Sequence, residues 1–217
     1  MYKNKKILGI LLARSGSKRL PDKNMLDFCG KPLFYWTILA CRQSKYLDKV
    51  VISTDHKKII KFTKGLPYVE TIIRPKRLTG DNVTSEKVVL DLITNKRKKF
   101  DIIVLLQPTS PLRKGFHIDK AVKKMIDNDE KFIVSVSYRN CLFKHMIEVR
   151  NGYFKKMKKN SPGYSLNGAI YAARTSYFKR SRSFLTQKTA VFQMPTSRSI
   201  DIDTVEDFKL AKKKFIR

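Results

Sequence analysis

The chain has 217 residues, 47 of them Lys or Arg against 18 Asp or Glu, which gives a formal net charge of +29. That length suits one α/β domain with a sizeable core. No apolar run approaches the ~20 residues of a membrane-crossing helix, and residues 1–6 lead into a core strand rather than a signal peptide, so the expectation is a cytoplasmic protein without a membrane partner.

The run 6–13 reads as a buried strand. At Arg14 the chain switches to small residues and cations, Arg14-Ser15-Gly16-Ser17-Lys18-Arg19, followed by Pro21-Asp22-Lys23-Asn24. Small residues let backbone N–H groups approach a bound group. Arg14, Lys18, Arg19 and Lys23 offer charge to something with several negative oxygens, and a polyphosphate fits. The segment is neither a Walker A loop nor a G-x-G-x-x-G turn. The plain alternative is a solvated basic turn after a strand.

Further apolar runs at 49–53, 69–73, 101–106 and 132–138 are short and rich in Ile and Val, as strands covered on both faces are. Helical patterns occupy 33–44, 56–64, 84–98 and 116–128. In the last of these, Ile118, Ala121, Val122, Met125 and Ile126 share one face. The alternation predicts an α/β fold with a mostly parallel, Rossmann-like sheet flanked by helices. Ligands in such folds bind at the carboxyl ends of the strands, where Arg14, Asp55 and Gln107 emerge.

Residues 139–165 break the pattern, being basic and irregular; a surface hairpin turning at Asn151-Gly152 accounts for them. No internal repeat, low-complexity tract or linker is visible, so 1–217 reads as a single domain. Near the end, Asp201-Ile202-Asp203 sets two carboxylates one residue apart, which an extended strand projects to one face. Two hard oxygen ligands side by side suit Mg²⁺; ordinary helix-start acids are the alternative. Thr204 reads as the N-cap of a final helix, with Asp207 near its third position.

Cys29, Cys41 and Cys141 are odd in number and lack any C-x-x-C, and His56, His117 and His145 are scattered. Neither a disulfide framework nor a zinc site is indicated. The lysine excess is spread along the chain in short clusters, where a nucleic-acid face would concentrate it and interleave aromatics. It reads as a solvated surface with no specific nucleic-acid partner, apart from nonspecific attraction at low salt. A basic nucleic-acid-binding protein without catalysis is the competing reading from another class.

Three blocks carry a family resemblance: Ala13-Arg14-Ser15-Gly16-Ser17-Lys18 with Pro21 and Lys23-Asn24, then Leu105-Leu106-Gln107-Pro108-Thr109-Ser110-Pro111-Leu112-Arg113, then Ser199-Ile200-Asp201-Ile202-Asp203-Thr204. Between them lie Ser53-Thr54-Asp55, Arg74-Pro75 with Leu78 and Asp81, and Asn167-Gly168-Ala169-Ile170-Tyr171. In this order they resemble the signature blocks of bacterial CMP-sialic acid synthetases (acylneuraminate cytidylyltransferases), from about Ile7 to the C-terminus.

The resemblance implies a nucleotidyltransferase fold of the glycosyltransferase-A type. It also implies transfer of CMP from CTP to the anomeric hydroxyl of a sialic acid or related nonulosonic acid, with pyrophosphate released. Asp201 and Asp203 would hold Mg²⁺. Arg14 and Lys18 would neutralise the β- and γ-phosphates and, with Asp203, carry the catalysis. Asn24, Arg74 and Ser85 would line the nucleotide site, and Gln107 would meet the sugar. The choice of cytosine enters only through the resemblance. The excursion 139–165 would form a homodimer interface and reach into the neighbouring subunit's site. A cytidylyltransferase for an eight-carbon keto-sugar acid is the nearest alternative. No Ser/His/Asp or Cys/His arrangement suggests a covalent intermediate.

The chain departs from the family at the sugar. Sialic acid synthetases commonly carry arginines before the Asn-Gly-Ala-Ile-Tyr block, whereas this chain has Ser165 and, upstream, Lys155, Lys156, Lys158 and Lys159. Lysine supplies a point charge and not a bidentate clamp on a carboxylate. The expected acceptor is therefore a relative of sialic acid, such as a 5,7-diamino nonulosonic acid.

Overall fold

The computed structural model describes residues 1–95, 99–139, 146–156 and 163–216. Strand β1 (Ile7–Leu12) pairs in parallel with β4 (Lys49–Thr54) on one side and β6 (Ile102–Leu105) on the other, and β5 (Val69–Ile73) extends the parallel set beyond β4. Past β6 come β10 (Gly163–Arg174), β7 (Phe132–Arg139), β11 (Ala190–Gln193), β9 (Tyr153–Lys156) and β8 (Met146–Arg150), nine strands in one sheet. Strands β5, β4, β1, β6, β7 and β11 share one direction, and β10 runs against them between β6 and β7. The parallel order expected from strand–helix alternation therefore holds apart from this insertion and from β9, which runs against β11 and β8. A separate ribbon pairs β2 (Asp27–Phe28) with β3 (Lys31–Pro32).

The sheet is covered on both faces, which is why its strands read as unbroken apolar runs. Ile7, Leu11 and Ala13 pack with α1 (Leu33–Gln43), α2 (Lys57–Thr63) and α4 (Gly115–Asp127), through Phe34, Ile38, Ile59, Ile118, Val122 and Met125. Leu8 and Ile10 point the other way, into Val88, Val89 and Leu92 of α3 (Ser85–Asn95) and Phe178 of α5 (Thr175–Ser181). The C-terminal helix α6 (Val205–Ile216) closes a third cluster, in which Phe28, Leu33, Leu112, Ile202 and Ala211 are buried. The α4 stripe seen in the sequence is this core face.

Strand β10 carries a bulge between Leu166 and Tyr171. Before it, Tyr164 and Ser165 pair with β8 as well as with β7; after it, Tyr171 to Arg174 pair with β6. The Asn151-Gly152 turn forms as expected, with φ of 49° and 81° joining β8 to β9, the doubly positive geometry that suits a tight hairpin. Much of the 139–165 excursion, at 140–145 and 157–162, lies outside the described residues.

One expectation about local structure needs correction. Residues 201–203 are not paired into the sheet. Leaving the tight helical turn Thr196–Arg198, the segment is tied by the Ile202 N–H to the Thr109 carbonyl at 2.9 Å, so it follows the loop after β6 and not a strand.

Candidate active site

The carboxyl ends of β1, β4, β5 and β6 deliver Arg14, Asp55, Arg74 and Gln107 to one rim of the sheet, around a cleft of about 400 Å³. That volume is in the range of small-ligand sites. Arg14, Lys18, Asn24, Arg74, Ser85, Gln107 and Asp203 all line it. Asp201 sits behind this wall, largely buried.

The basic loop after β1 is fixed at both ends. The Ala13 N–H donates to the Ser53 carbonyl at 3.1 Å, and Thr54 Oγ1 donates to the Ala13 carbonyl at 2.5 Å. Asp55 clamps Ser15 twice, accepting its N–H at 2.8 Å and its hydroxyl at 2.7 Å. Burial opposes ionisation of Asp55, but these two hydrogen bonds and the nearby Arg74 outweigh it and hold its carboxyl below the usual range. Asn24, buried, donates from Nδ2 to the Arg14 carbonyl at 3.1 Å and so supports the loop from beneath. At the far end Asp22, with φ 52°, meets His56 Nε2 at 2.5 Å, while His56 Nδ1 accepts the Lys58 N–H and caps α2.

The four loop cations are divided into two pairs, each bridged by a carboxylate. Arg14 Nη1 and Lys18 Nζ reach the two oxygens of Asp81 at 2.8 and 2.6 Å. Lys23 Nζ and Arg19 Nη1 reach the two oxygens of Asp203 at 2.9 and 3.3 Å, and Lys23 also donates to the Ile202 carbonyl at 2.8 Å. Paired cations on one rim make a concave site for a polyanion.

Arg74 is buried against the cleft wall, its Nη2 donating to the Ser53 carbonyl at 2.9 Å and its Nε to Ser53 Oγ at 3.3 Å. Burial lowers its pKa, with Asp55 opposing. Ser85 is the first residue of α3. Gln107 is held by its backbone: its carbonyl accepts from Thr37 Oγ1 and from Arg113 Nη1, each at 3.2 Å. Arg113 is 1% exposed and also donates to the Ala169 carbonyl at 2.7 Å and Thr37 Oγ1 at 2.6 Å. Its guanidinium thus serves main-chain groups of the site's scaffold.

The two C-terminal carboxylates differ in environment. Asp203 is half exposed at the cleft, and its segment is fixed by Asp207, which accepts the Asp203 and Thr204 N–H groups at 3.1 and 2.9 Å. Thr204 Oγ1 in turn accepts the Asp207 N–H at 3.2 Å, the reciprocal cap expected at the start of α6. Asp201 lies against Gly168, and its Oδ1 is buried without a hydrogen-bond partner. Burial pushes its carboxyl up to about 6, the Asp203 and Asp207 charges adding to the shift and Thr109 and Lys23 opposing it. Among the described residues no three His, Cys, Asp or Glu side chains converge into a metal cage. A divalent ion here would take Asp201 and Asp203 and complete its shell with phosphate and water oxygens, the mode Mg²⁺ favours. The unpartnered oxygen of Asp201 fits such a donor set.

Arg14, Lys18, Asn24, Arg74 and Ser85, named from the sequence for the nucleotide, line this one cleft; the sequence says nothing of what ties them in place. Sequence reasoning missed Asp81 as the partner of Arg14 and Lys18, the Asp55–Ser15 clamp, the His56–Asp22 contact, and the buried role of Arg113. The i, i+2 acidic spacing found Asp201 and Asp203 but not their unequal burial.

Residues 8–215 match the family described as Cytidylyltransferase. The N-acylneuraminate cytidylyltransferase of Streptococcus agalactiae serotype III is 34% identical over 218 residues, covering 92% of this chain and 51% of that protein, so the chain spans about half the length of this relative. The CMP-N,N'-diacetyllegionaminic acid synthase of Legionella pneumophila is 32% identical over 225 residues, covering 96% and 95%. The pseudaminic acid cytidylyltransferase of Campylobacter jejuni is 30% identical over 220 residues, covering 95% of each. In fold, the chain is similar to a CMP:2-keto-3-deoxy-manno-octonic acid synthetase complexed with CTP, at a TM-score of 0.80 and 16% identity over 97% of this chain and 98% of that one. It is similar also to the 4-diphosphocytidyl-2C-methyl-D-erythritol synthase of Anaerococcus prevotii, at a TM-score of 0.73 and 13% identity over 98% and 97%. A cleft at the carboxyl rim of the sheet, floored by a basic loop and closed by an acidic segment, thus lies in a chain that belongs to the cytidylyltransferase family.

Proposed function

We propose that the chain transfers CMP from CTP to the anomeric hydroxyl of a nonulosonic acid and releases pyrophosphate. The observation that carries this reading is the placement of two bridged cation pairs, Arg14 with Lys18 and Arg19 with Lys23, on the cleft rim beside Asp203. Arg14 and Lys18 bind the β- and γ-phosphates and stabilise the charge that gathers on the leaving pyrophosphate. Asn24 holds the loop that carries Arg14, Arg74 and Ser85 line the nucleoside side, and Gln107 faces the acceptor. The acceptor hydroxyl oxygen forms a new bond to the α-phosphorus and gives up its proton to solvent, as the bond from that phosphorus to the bridging oxygen of pyrophosphate breaks. Holding the two substrates in line supplies much of the rate.

Asp201 and Asp203 would hold Mg²⁺, which when bound polarises phosphate oxygens and orients the acceptor. The acceptor reading follows from Ser165, which is buried in β10 where the family commonly has an arginine. A 5,7-diamino nonulosonic acid is the preferred acceptor, and relatives named for legionaminic and pseudaminic acids support it. The chain acts as a single domain and a homodimer joined through 139–165, in the cytoplasm. No described helix is long and apolar enough to cross a membrane.

Pyrophosphate release from each nucleoside triphosphate, with Mg²⁺ and a panel of keto-sugar acids, tests the reading. CTP with a diamino nonulosonic acid should give the highest kcat/KM. Preference for N-acetylneuraminic acid would overturn the acceptor assignment, and preference for an eight-carbon acid would move the enzyme to the neighbouring substrate class.

A further inference from the structure

Asp81 occupies the two cations that the proposed function gives to the β- and γ-phosphates. Its Oδ1 is 2.8 Å from Arg14 Nη1 and its Oδ2 is 2.6 Å from Lys18 Nζ, so both carboxylate oxygens are committed to this pair. Arg14 Nη1 also donates to the Thr79 carbonyl at 3.2 Å. The segment 79–84 is therefore fastened to the basic loop at two points, both through Arg14 or Lys18. The segment turns on itself through a Val83 N–H to Gly80 carbonyl bond at 3.1 Å. It then runs into α3, where Thr84 Oγ1 accepts the Lys87 N–H at 3.3 Å. Asp81 and Lys18 are both at the surface, the latter 78% exposed, so this contact is open to exchange with a solute anion.

A carboxylate bridging two cations presents the same face as two oxygens of a phosphate. The exchange is decided by charge. Asp81 brings one negative charge to two positive groups. A pyrophosphate or the tail of a triphosphate brings two or more, and replaces Asp81 with a net gain. A single phosphate group brings about 1.5 to 2 negative charges, fewer than a pyrophosphate or triphosphate tail, so its gain over Asp81 is smaller, and it must also be immobilised. We infer that Asp81 is a resident competitor for Arg14 and Lys18, a specificity-determining residue that admits polyphosphates, discriminates against monophosphates at this subsite and reclaims the cations as pyrophosphate leaves. The inference rests on the assignment of those cations to the triphosphate. Asp203, which bridges the second pair, differs in lying beside Asp201 as a candidate metal ligand, whereas Asp81 bridges cations alone.

Competition and positioning predict opposite signs. If Asp81 competes, removing its charge strengthens polyphosphate binding; if it holds Arg14 and Lys18 in their working rotamers, removal weakens it. Calorimetric titration of Asp81→Asn and Asp81→Ala with pyrophosphate, CTP and CMP separates the two, with melting temperature as the check on folding. The expected result is a fall in Kd of about fivefold for pyrophosphate and CTP, the worth of an exposed ion pair, with a smaller change for CMP. Asp81→Glu, which keeps the charge, should stay near the wild-type values, and pyrophosphate should inhibit turnover of Asp81→Asn more strongly. Unchanged or weaker pyrophosphate binding in both neutral variants overturns the inference while leaving the proposed function standing. Failure of the wild-type protein to bind either CTP or pyrophosphate overturns both.

Discussion

Gly168 and Asp201 are in contact so close that a Cβ on the glycine would stand 2.8 Å from Asp201 Oδ2. The glycine also has φ +71°, a left-handed conformation within the β10 bulge. Bulge and carboxylate are thus one unit: the irregularity in the strand makes the space that Asp201 fills. Gly168→Ala should lose turnover by displacing Asp201 and lose about 1 kcal/mol or more of stability from the backbone alone. Urea unfolding together with steady-state rates checks this. A variant with wild-type kcat would show that Asp201 tolerates displacement.

Asp203→Asn and Asp201→Asn should each abolish turnover with the fold intact, since an amide is a poor ligand for a hard divalent cation. Near-wild-type rates at low Mg²⁺ in either variant would remove that residue from the metal site.

The two variants should differ in stability. Asp201 is held by burial at about 6, against 3.8 for an ordinary aspartate. The folded state therefore binds this proton more tightly than the unfolded chain, and stability falls as pH rises through the interval between those values. Ionised Asp201 then costs up to about 3 kcal/mol at pH 8. In the presence of chelator, Asp201→Asn should melt at or above the wild-type temperature at pH 8, with the difference fading below pH 4. A gap of constant size across that range would assign the effect to packing.

Lys18→Ala should raise the Kd for CTP and pyrophosphate about tenfold, as expected for loss of a hydrogen bond between charged groups. It should leave the melting temperature within a degree or two, because an exposed ion pair contributes little to folding. Equal affinity for both ligands would move the phosphate subsite off this loop.

Asp55→Asn tests whether the clamp on Ser15 matters. Asparagine can still accept the Ser15 N–H, but it loses the charge that faces Arg74 and the second strong acceptor. The expected outcome is a fall in kcat/KM for CTP of about tenfold, with Ser15→Ala milder because its backbone bond remains. Equal kinetics in both variants would show that the loop keeps its shape without the clamp.

The parts of the site legible in the sequence are those written in local runs. The apolar stretch ending at Ala13 and the abrupt switch to Arg14 gave a strand and its rim. The Asp201-Ile202-Asp203 spacing gave the acidic pair, and Asn151-Gly152 gave the hairpin. What stayed hidden depends on residues far apart in the chain. Asp81 meets Arg14 across a separation of more than sixty residues, as the Thr79 contact shows, and no periodicity records that meeting. Arg113, at the end of the Gln107 block, reads as a sheet-end ion-pair partner, yet it is buried and serves two carbonyls and a hydroxyl, with burial holding its pKa down to about 10. The antiparallel insertion of β10 was invisible for a related reason, since a buried strand has the same composition in either direction.

The described sheet has one raw end. Strands β10, β7, β11, β9 and β8 follow one another by pairing, and β8 returns to β10, so that side is stitched into a ring. The strand left with a vacant side is β5, five residues long, where Glu70 is ion-paired to Lys49 of the adjacent strand. A protein with two vacant edges can add copies indefinitely, whereas one with a single vacant edge can add only one. Among the described residues, β5 is therefore the edge on which pairing with a second copy would act, and the Lys49–Glu70 pair sets charge beside it.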